Sequence, residues 1–207
     1  MDIAIVLNGP NLDLEVTEPY IICADGGYNL LKGEKTPDII IGDMDSIGEL
    51  PENIRTRIIP KQKDFTDGEF AIRLACETEG VQTIKIYGAF GGRPDHQLAN
   101  LGLLRIANSL NKKAYIVAKG IKVSYETSYV EYEVEKKDII SAISSSGEAI
   151  LDGGKGLFYE IKDLFLNSLD SRGISNIATE KKFSFYIKKG GIYLFIIKEK
   201  TYWGVIY

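Results

Sequence analysis

Short apolar runs broken by turns rich in glycine, proline and aspartate set the rhythm of the first 120 residues. Residues 3–7, 20–24, 39–41, 57–60, 83–87 and 115–118 are too short for stable helices and read as strands, most of them rich in β-branched residues. Helical spacing lies between them. A short piece over 28–32 stops at Gly33. Thr66 and Glu69 have capping-box spacing, and Phe70, Ala71, Leu74 and Ala75 then give an apolar face. Another helix covers about 97–110, with Asp95 as its N-cap. Strands alternating with helices predict a layered α/β unit with a mostly parallel sheet.

The pattern changes near Gly120. Residues 123–134 are rich in Tyr, Val and Thr and alternate in part, while Phe183, Phe185 and Ile187 alternate cleanly. Lys188-Lys189-Gly190-Gly191 reads as a hairpin turn, with 192–197 as the returning strand. This half is expected to be a small all-β domain, sandwich or barrel. The expected boundary leaves residues 1–120 as an α/β domain and 121–207 as a β domain.

Composition narrows the classes. Hydrophobic residues make up 44% of the 207, enough for a packed core. The net charge of −4, from 25 basic and 29 acidic side chains, leaves no basic footprint for nucleic acid. No apolar run is long enough to span a bilayer, and the first residues lack a signal-peptide pattern. Cys23 and Cys76 sit in apolar contexts and read as reduced core residues of a cytoplasmic protein.

In a layered α/β sheet, ligands bind outside the carboxyl ends of the strands. The aspartate-rich turns fall there: Asp25-Gly26-Gly27 after the second strand, Asp43 and Asp45 after the third, Asp64 and Asp67 after the fourth, Arg93 and Asp95 after Gly88. If the chain stays extended through Asp45, both carboxylates of Asp43-Met44-Asp45 leave one face. Two such anions call for a cation, and Mg²⁺ takes oxygen ligands and keeps phosphates as its other partners. Each turn also has a structural role open to it: a tight turn at Asp25, a favourable first-turn charge at Asp67, a helix cap at Asp95. Arg93, flanked by Gly91 and Gly92, offers a fork of donors to phosphate oxygens. There is no Walker loop, dinucleotide fingerprint, Ser-His-Asp arrangement or His/Cys zinc pattern, and His96 is the one histidine. What remains suits Mg²⁺-assisted transfer of a phosphoryl-type group.

Ala24-Asp25-Gly26-Gly27, Gly42-Asp43-x-Asp45-Ser46, Lys63-Asp64-x-Thr66-Asp67 and Gly88-Ala89-x-Gly91-Gly92-Arg93-x-Asp95-His96-x-Leu98-Ala99-Asn100 occur in this order. Together they resemble the thiamine pyrophosphokinase family. Gly173-Ile174-Ser175-Asn176 resembles the Gly-x-Ser-Asn segment of that family's β domain. The loop from Asn8 to Asp13 departs from the family's Gly-Gly start, and the tail 202–207 has no clear counterpart.

The resemblance implies a three-layer αβα domain followed by a β-sandwich that binds thiamine and forms a homodimer. It implies transfer of the pyrophosphoryl group of ATP to the hydroxyl of thiamine, giving thiamine diphosphate and AMP. Asp43, Asp45 and Asp67 would hold one or two Mg²⁺ ions, and Lys63 would neutralise charge on the transferred group. Asp25, Gly26, Gly27, Asp64, Gly88, Gly91, Gly92, Arg93, Asp95 and His96 would form the ATP site, and Ser175 and Asn176 would contact thiamine between subunits. Either Asp67 or Asp45 would accept the hydroxyl proton. Trp203 would either stack on thiamine or pack. Two other readings share the same rim: another Mg²⁺-dependent diphosphokinase or nucleotidyl transferase acting on a small alcohol, and a nucleotide-binding module without turnover.

Overall fold

Six strands of the first unit lie side by side in one parallel sheet, with Lys113–Ala118 at one end of the row and Arg55–Ile58 at the other. The computed structural model describes residues 1–10, 15–31, 35–47 and 52–203. It divides into two units, Met1–Lys119 and Gly120–Tyr207. The first runs β1 (Asp2–Val6), β2 (Tyr20–Ala24), α1 (Gly27–Leu31), β3 (Ile39–Gly42), β4 (Arg55–Ile58), α2 (Asp67–Glu77), β5 (Thr83–Tyr87), α3 (Pro94–Ser109) and β6 (Lys113–Ala118). The expected stop at Gly33, the 11–13 part of the first loop, the end of the tail at 204–207 and the Trp203 side chain lie outside the described residues.

Both faces of this sheet are covered, so β1, β2 and β3 are almost wholly apolar. Ala4, Val6, Ile21, Cys23 and Ile40 pack with Leu31 of α1 on one face. Alternation turns Ile3, Ile5, Ile22 and Ile41 to the other side, where α2 buries Ala71, Ile72 and Ala75. Thr66 caps α2, its hydroxyl accepting from the Glu69 N–H at 3.1 Å. The reciprocal half of the capping box is not made, because the Glu69 carboxylate pairs with Arg73 at 2.8 Å.

Several boundaries move from their expected places, and two of them adjoin the aspartate-rich turns. The fourth strand is 55–58 rather than 57–60, an edge strand whose residues are all exposed. Pairing ends at Gly42 with Ile58, and Pro60 has no N–H to extend it. The second long helix starts at Pro94, not near 97. Proline is favoured in a helix's first turn, so Arg93 becomes the N-cap and Asp95 a first-turn residue rather than the cap.

The second unit is all-β apart from a short 3-10 turn and a last helix. It contains β7 (Ile121–Glu126), β8 (Tyr129–Glu133), β9 (Ile139–Ser144), β10 (Ala149–Lys155), β11 (Leu164–Leu166), β12 (Asn176–Ile177), β13 (Lys182–Lys189), β14 (Ile192–Ile197) and α4 (Glu199–Trp203). Strands run antiparallel in the orders β12-β9-β14-β7 and β11-β10-β13-β8. Between the two layers lie Val130, Leu151, Phe183, Phe185, Ile187, Ile192, Leu194 and Ile196.

The expected hairpin at Lys188–Gly191 is not one. β13 pairs with β10 and β8, while β14 pairs with β7 and β9, so this turn carries the chain from one layer to the other. Alternation fixes which side chains face the core but not which layer they come from. Gly190, at φ 78°, passes so close to the Glu148 carbonyl that a Cβ would overlap it.

This register gives a test. Phe185→Ala should lower the unfolding free energy by about 3–5 kcal/mol. Tyr186→Ala, one residue along on the exposed face, should cost under about 1 kcal/mol. Urea unfolding of the two variants compares them directly.

Candidate active site

The strand order places the site. The chain lays β2, β3 and β4 to one side of β1 and β5 and β6 to the other, so the order reverses between β1 and β5. A crevice opens outside the carboxyl ends at such a point. Here it is a cleft of about 470 Å³ lined by Leu7, Asn8 and Gly9 after β1 and by Gly88 and Ala89 after β5. Asp25, Lys61, Lys63, Asp67, Arg93 and His96 complete its polar walls. A Cβ on Gly88, at φ 68°, would overlap the Leu7 carbonyl, so these two strand ends meet only with glycine there. The Asn100 amide, one turn into α3 from His96, holds the Ala89 carbonyl at 2.9 Å, and Gln97 holds that of Gly92 at 2.9 Å.

Carboxylate oxygens of Asp25, Asp43 and Asp45 lie within 4.8 Å of one another at the ends of β2 and β3. Asp67, grouped by sequence with Asp43 and Asp45, lines the same cleft but stands outside this trio. Extended backbone does not bring Asp43 and Asp45 together. Met44 sits at φ 66°, the chain turns, and the Asp45 N–H donates to Asp43 Oδ1 at 3.2 Å. Asp25 is likewise left-handed, at φ 44°, with its N–H on the Ile41 carbonyl at 2.6 Å. Two non-glycine residues held this way cost about 1–2 kcal/mol each, strain of the kind that gathers at functional sites. A Cβ on Gly42 would lie 2.9 Å from that of Asp25, so only glycine lets the two turns close up. Asn29 of α1 steadies the second turn through the Ser46 carbonyl at 2.9 Å.

The trio fits a hard divalent cation. All its donors are carboxylate oxygens, and Asp25 Oδ1 is buried without a hydrogen-bond partner among the described residues. An ion with metal–oxygen distances of about 2.1–2.4 Å keeps its ligand oxygens within about 4.2–4.8 Å of one another, and the oxygens of the trio fall inside that limit.

Cationic side chains stand beside these acids. Lys61, a residue sequence reasoning passed over, hydrogen-bonds Asp45. That bond holds the Asp45 carboxyl below, and the Lys61 ammonium above, their ordinary ranges. Lys63 Nζ lies 3.0 Å from Asp67 Oδ1 in the first turn of α2. That oxygen has no well-directed hydrogen bond, so proximity rather than bonding joins the pair. Arg93 grips Asp95 with two donors, at 3.1 and 2.6 Å, both side chains largely exposed. The guanidinium hydrogen bond takes the Asp95 carboxyl down to about 2. Gly26 and Gly27 are buried supports, since a Cβ on Gly27 would overlap the Val6 carbonyl. Asp64, Gly91 and Asp95 are exposed and are not among the cleft-lining residues.

In the second unit, Ser175 and Asn176 border a separate cavity of about 410 Å³, floored by Ile140, Leu151, Ile161 and Phe185. Ser175 is left-handed at φ 63°. The Asn176 amide is already committed. It exchanges two 2.9 Å hydrogen bonds with the Tyr159 backbone and so builds the cavity's mouth.

The Arg93–Asp95 pair yields a solution test. In an NMR titration the Asp95 carboxyl should have its midpoint at about 2. In Arg93→Ala the midpoint should rise toward the ordinary value of 3.8, because the cation favouring the charged form is gone.

A family model described as thiamin pyrophosphokinase, catalytic domain, matches residues 13–117, half of the chain. Thiamine pyrophosphokinase 1 of Arabidopsis thaliana is 33% identical over 111 residues, a match covering 40% of this chain and 41% of that protein. The thiamine pyrophosphokinase of Bacillus subtilis is 29% identical over 174 residues, covering 80% of each. Its crystal structure superposes with a TM-score of 0.85 at 27% identity, over 96% of this chain and 100% of that one. On the family model's span and the whole-chain likeness of fold, the chain belongs to the thiamin pyrophosphokinase family.

Proposed function

We propose that this protein transfers the pyrophosphoryl group of ATP to the hydroxyl of thiamine, giving thiamine diphosphate and AMP, with Mg²⁺ held by Asp25, Asp43 and Asp45. The observation carrying this reading is the convergence of those three carboxylates beside a cleft whose other walls present Lys63 and Arg93. A triphosphate is repelled by carboxylates alone. Bound at the trio, Mg²⁺ would cancel that repulsion and polarise phosphoryl oxygens.

The chain's own residues do the rest. Gly9, Gly88 and Gly92 keep the cleft floor free of side chains, so a polyphosphate can approach the backbone. Arg93 releases Asp95 to grip terminal phosphate oxygens with its planar fork. Lys63, half-buried, is placed to meet negative charge building on the group in transit. Asp67, outside the trio and beside Lys63, accepts the hydroxyl proton in this reading. His96 and Asn100 border the nucleotide side.

The acceptor belongs to the second unit in this reading. The cavity beside Ser175 has an apolar floor, and Phe158, Tyr159, Ile174 and Ile177 around it are exposed. Apolar surface of this kind marks an interface or a ligand site. A homodimer that sets this surface of one subunit against the cleft of its partner would close thiamine between them. The cytoplasm is the fitting compartment, since Cys23 and Cys76 are free and buried. Among the described residues no helix is long and apolar enough to cross a membrane.

The test is product identity. Incubated with ATP, Mg²⁺ and thiamine, the protein should release AMP rather than ADP, followed by ³¹P NMR. Asp43→Ala should keep the native circular dichroism spectrum and lose roughly a hundredfold or more of that rate. ADP as product, or full activity in Asp43→Ala, would overturn the assignment.

A further inference from the structure

Lys61 stands on the loop after β4, 16 residues beyond Asp45, and its ammonium is bonded to Asp45 Oδ2. The two side chains are 76% and 49% exposed, so this pair adds little to stability. Its position is more telling than its strength. Lys61 lines the cleft together with Asp25, and the carboxylate it engages is one of the trio. Three carboxylates this close repel one another when no cation is among them. A lysine on a flexible four-carbon stem is a cation that can leave.

We propose that Lys61 is an internal counter-ion for the trio, a positioning residue that occupies Asp45 until a divalent ion displaces it and then turns onto the polyphosphate. This rests on the reading of Asp25, Asp43 and Asp45 as the metal site. The consequence is a coupling. While Lys61 holds Asp45, a divalent ion must compete with it for that carboxylate. Once phosphates are in the cleft, Lys61 has a second partner and yields Asp45 readily. Metal and polyphosphate therefore favour each other's binding, by the same factor in each direction. Lys61 is also a specificity element, because a ligand without phosphate oxygens gives its ammonium nowhere to go.

The experiment is a Mn²⁺ titration of the whole chain, read by the loss of the free-ion electron paramagnetic resonance signal. It is run with and without α,β-methylene-ATP, whose bridging carbon resists cleavage at the bond this reaction breaks. Lys61→Met should bind Mn²⁺ about fivefold tighter than wild type when no nucleotide is present, since competitor and repulsion are both gone. The enhancement of Mn²⁺ binding by the analogue should shrink by about the same factor. Lys61→Arg, which keeps a cation over Asp45, should behave like wild type. Unchanged or weaker Mn²⁺ binding by Lys61→Met without nucleotide overturns the proposal while leaving the metal site standing. If Mn²⁺ binding also survives Asp43→Asn, the metal reading itself fails and this proposal fails with it.

Discussion

Negative charge crowded at the ends of two neighbouring strands is the constraint around which the first unit is arranged. Asp25, Asp43 and Asp45 bring carboxylate oxygens within 4.8 Å of one another. A fold does not hold such a group without compensation, and several features of this one serve that end. Gly42 has no side chain to keep the two turns apart. Asp25 and Met44 accept left-handed backbone, and Asn29 ties down the carbonyl that follows. The buried sheet beneath supplies the rigidity that such strain requires. The cleft with its cationic walls then follows from the reversal of strand order between β1 and β5.

What the sequence makes legible depends on how local the determining physics is. The runs at 20–24 and 83–87 coincide with β2 and β5: β2 is an almost wholly buried apolar stretch, and in β5 the buried Ile84 and Ile86 alternate with Lys85. The α/β half followed by an all-β half is likewise what the structure shows, since the change of period near Gly120 is a property of sequence alone. β4 leaves almost no pattern, being an exposed edge, so the apolar pair Ile58-Ile59 drew the expected strand two residues too far. The turn at Gly190-Gly191 is ambiguous in sequence for a different reason. Two strands with inward apolar faces look alike whether they are neighbours in one layer or face each other across a core.

The aspartate site divides along the same line. Motif order identifies which strand ends carry acids, and it singles out Asp25, Asp43, Asp45 and Asp67 alike. It carries no distances, so it could not show that Asp25 rather than Asp67 stands with the other two. Lys61 went unnoticed because an exposed lysine two residues from a motif has no sequence signature, and only the fold sets it against Asp45. Asn176 illustrates the converse. Its place in a Gly-x-Ser-Asn segment suggests substrate contact, and only the fold shows that its amide also ties down the Tyr159 backbone at the cavity mouth.

The claim beneath all of this is that the trio is a cation site. Anomalous diffraction from crystals soaked in Mn²⁺ with α,β-methylene-ATP addresses it without reference to turnover. A peak bonded to oxygens of Asp43 and Asp45, with Asp25 beside it, is the predicted result. A peak at Asp64 or on the second unit, with the trio bare and Lys61 still on Asp45, would contradict it.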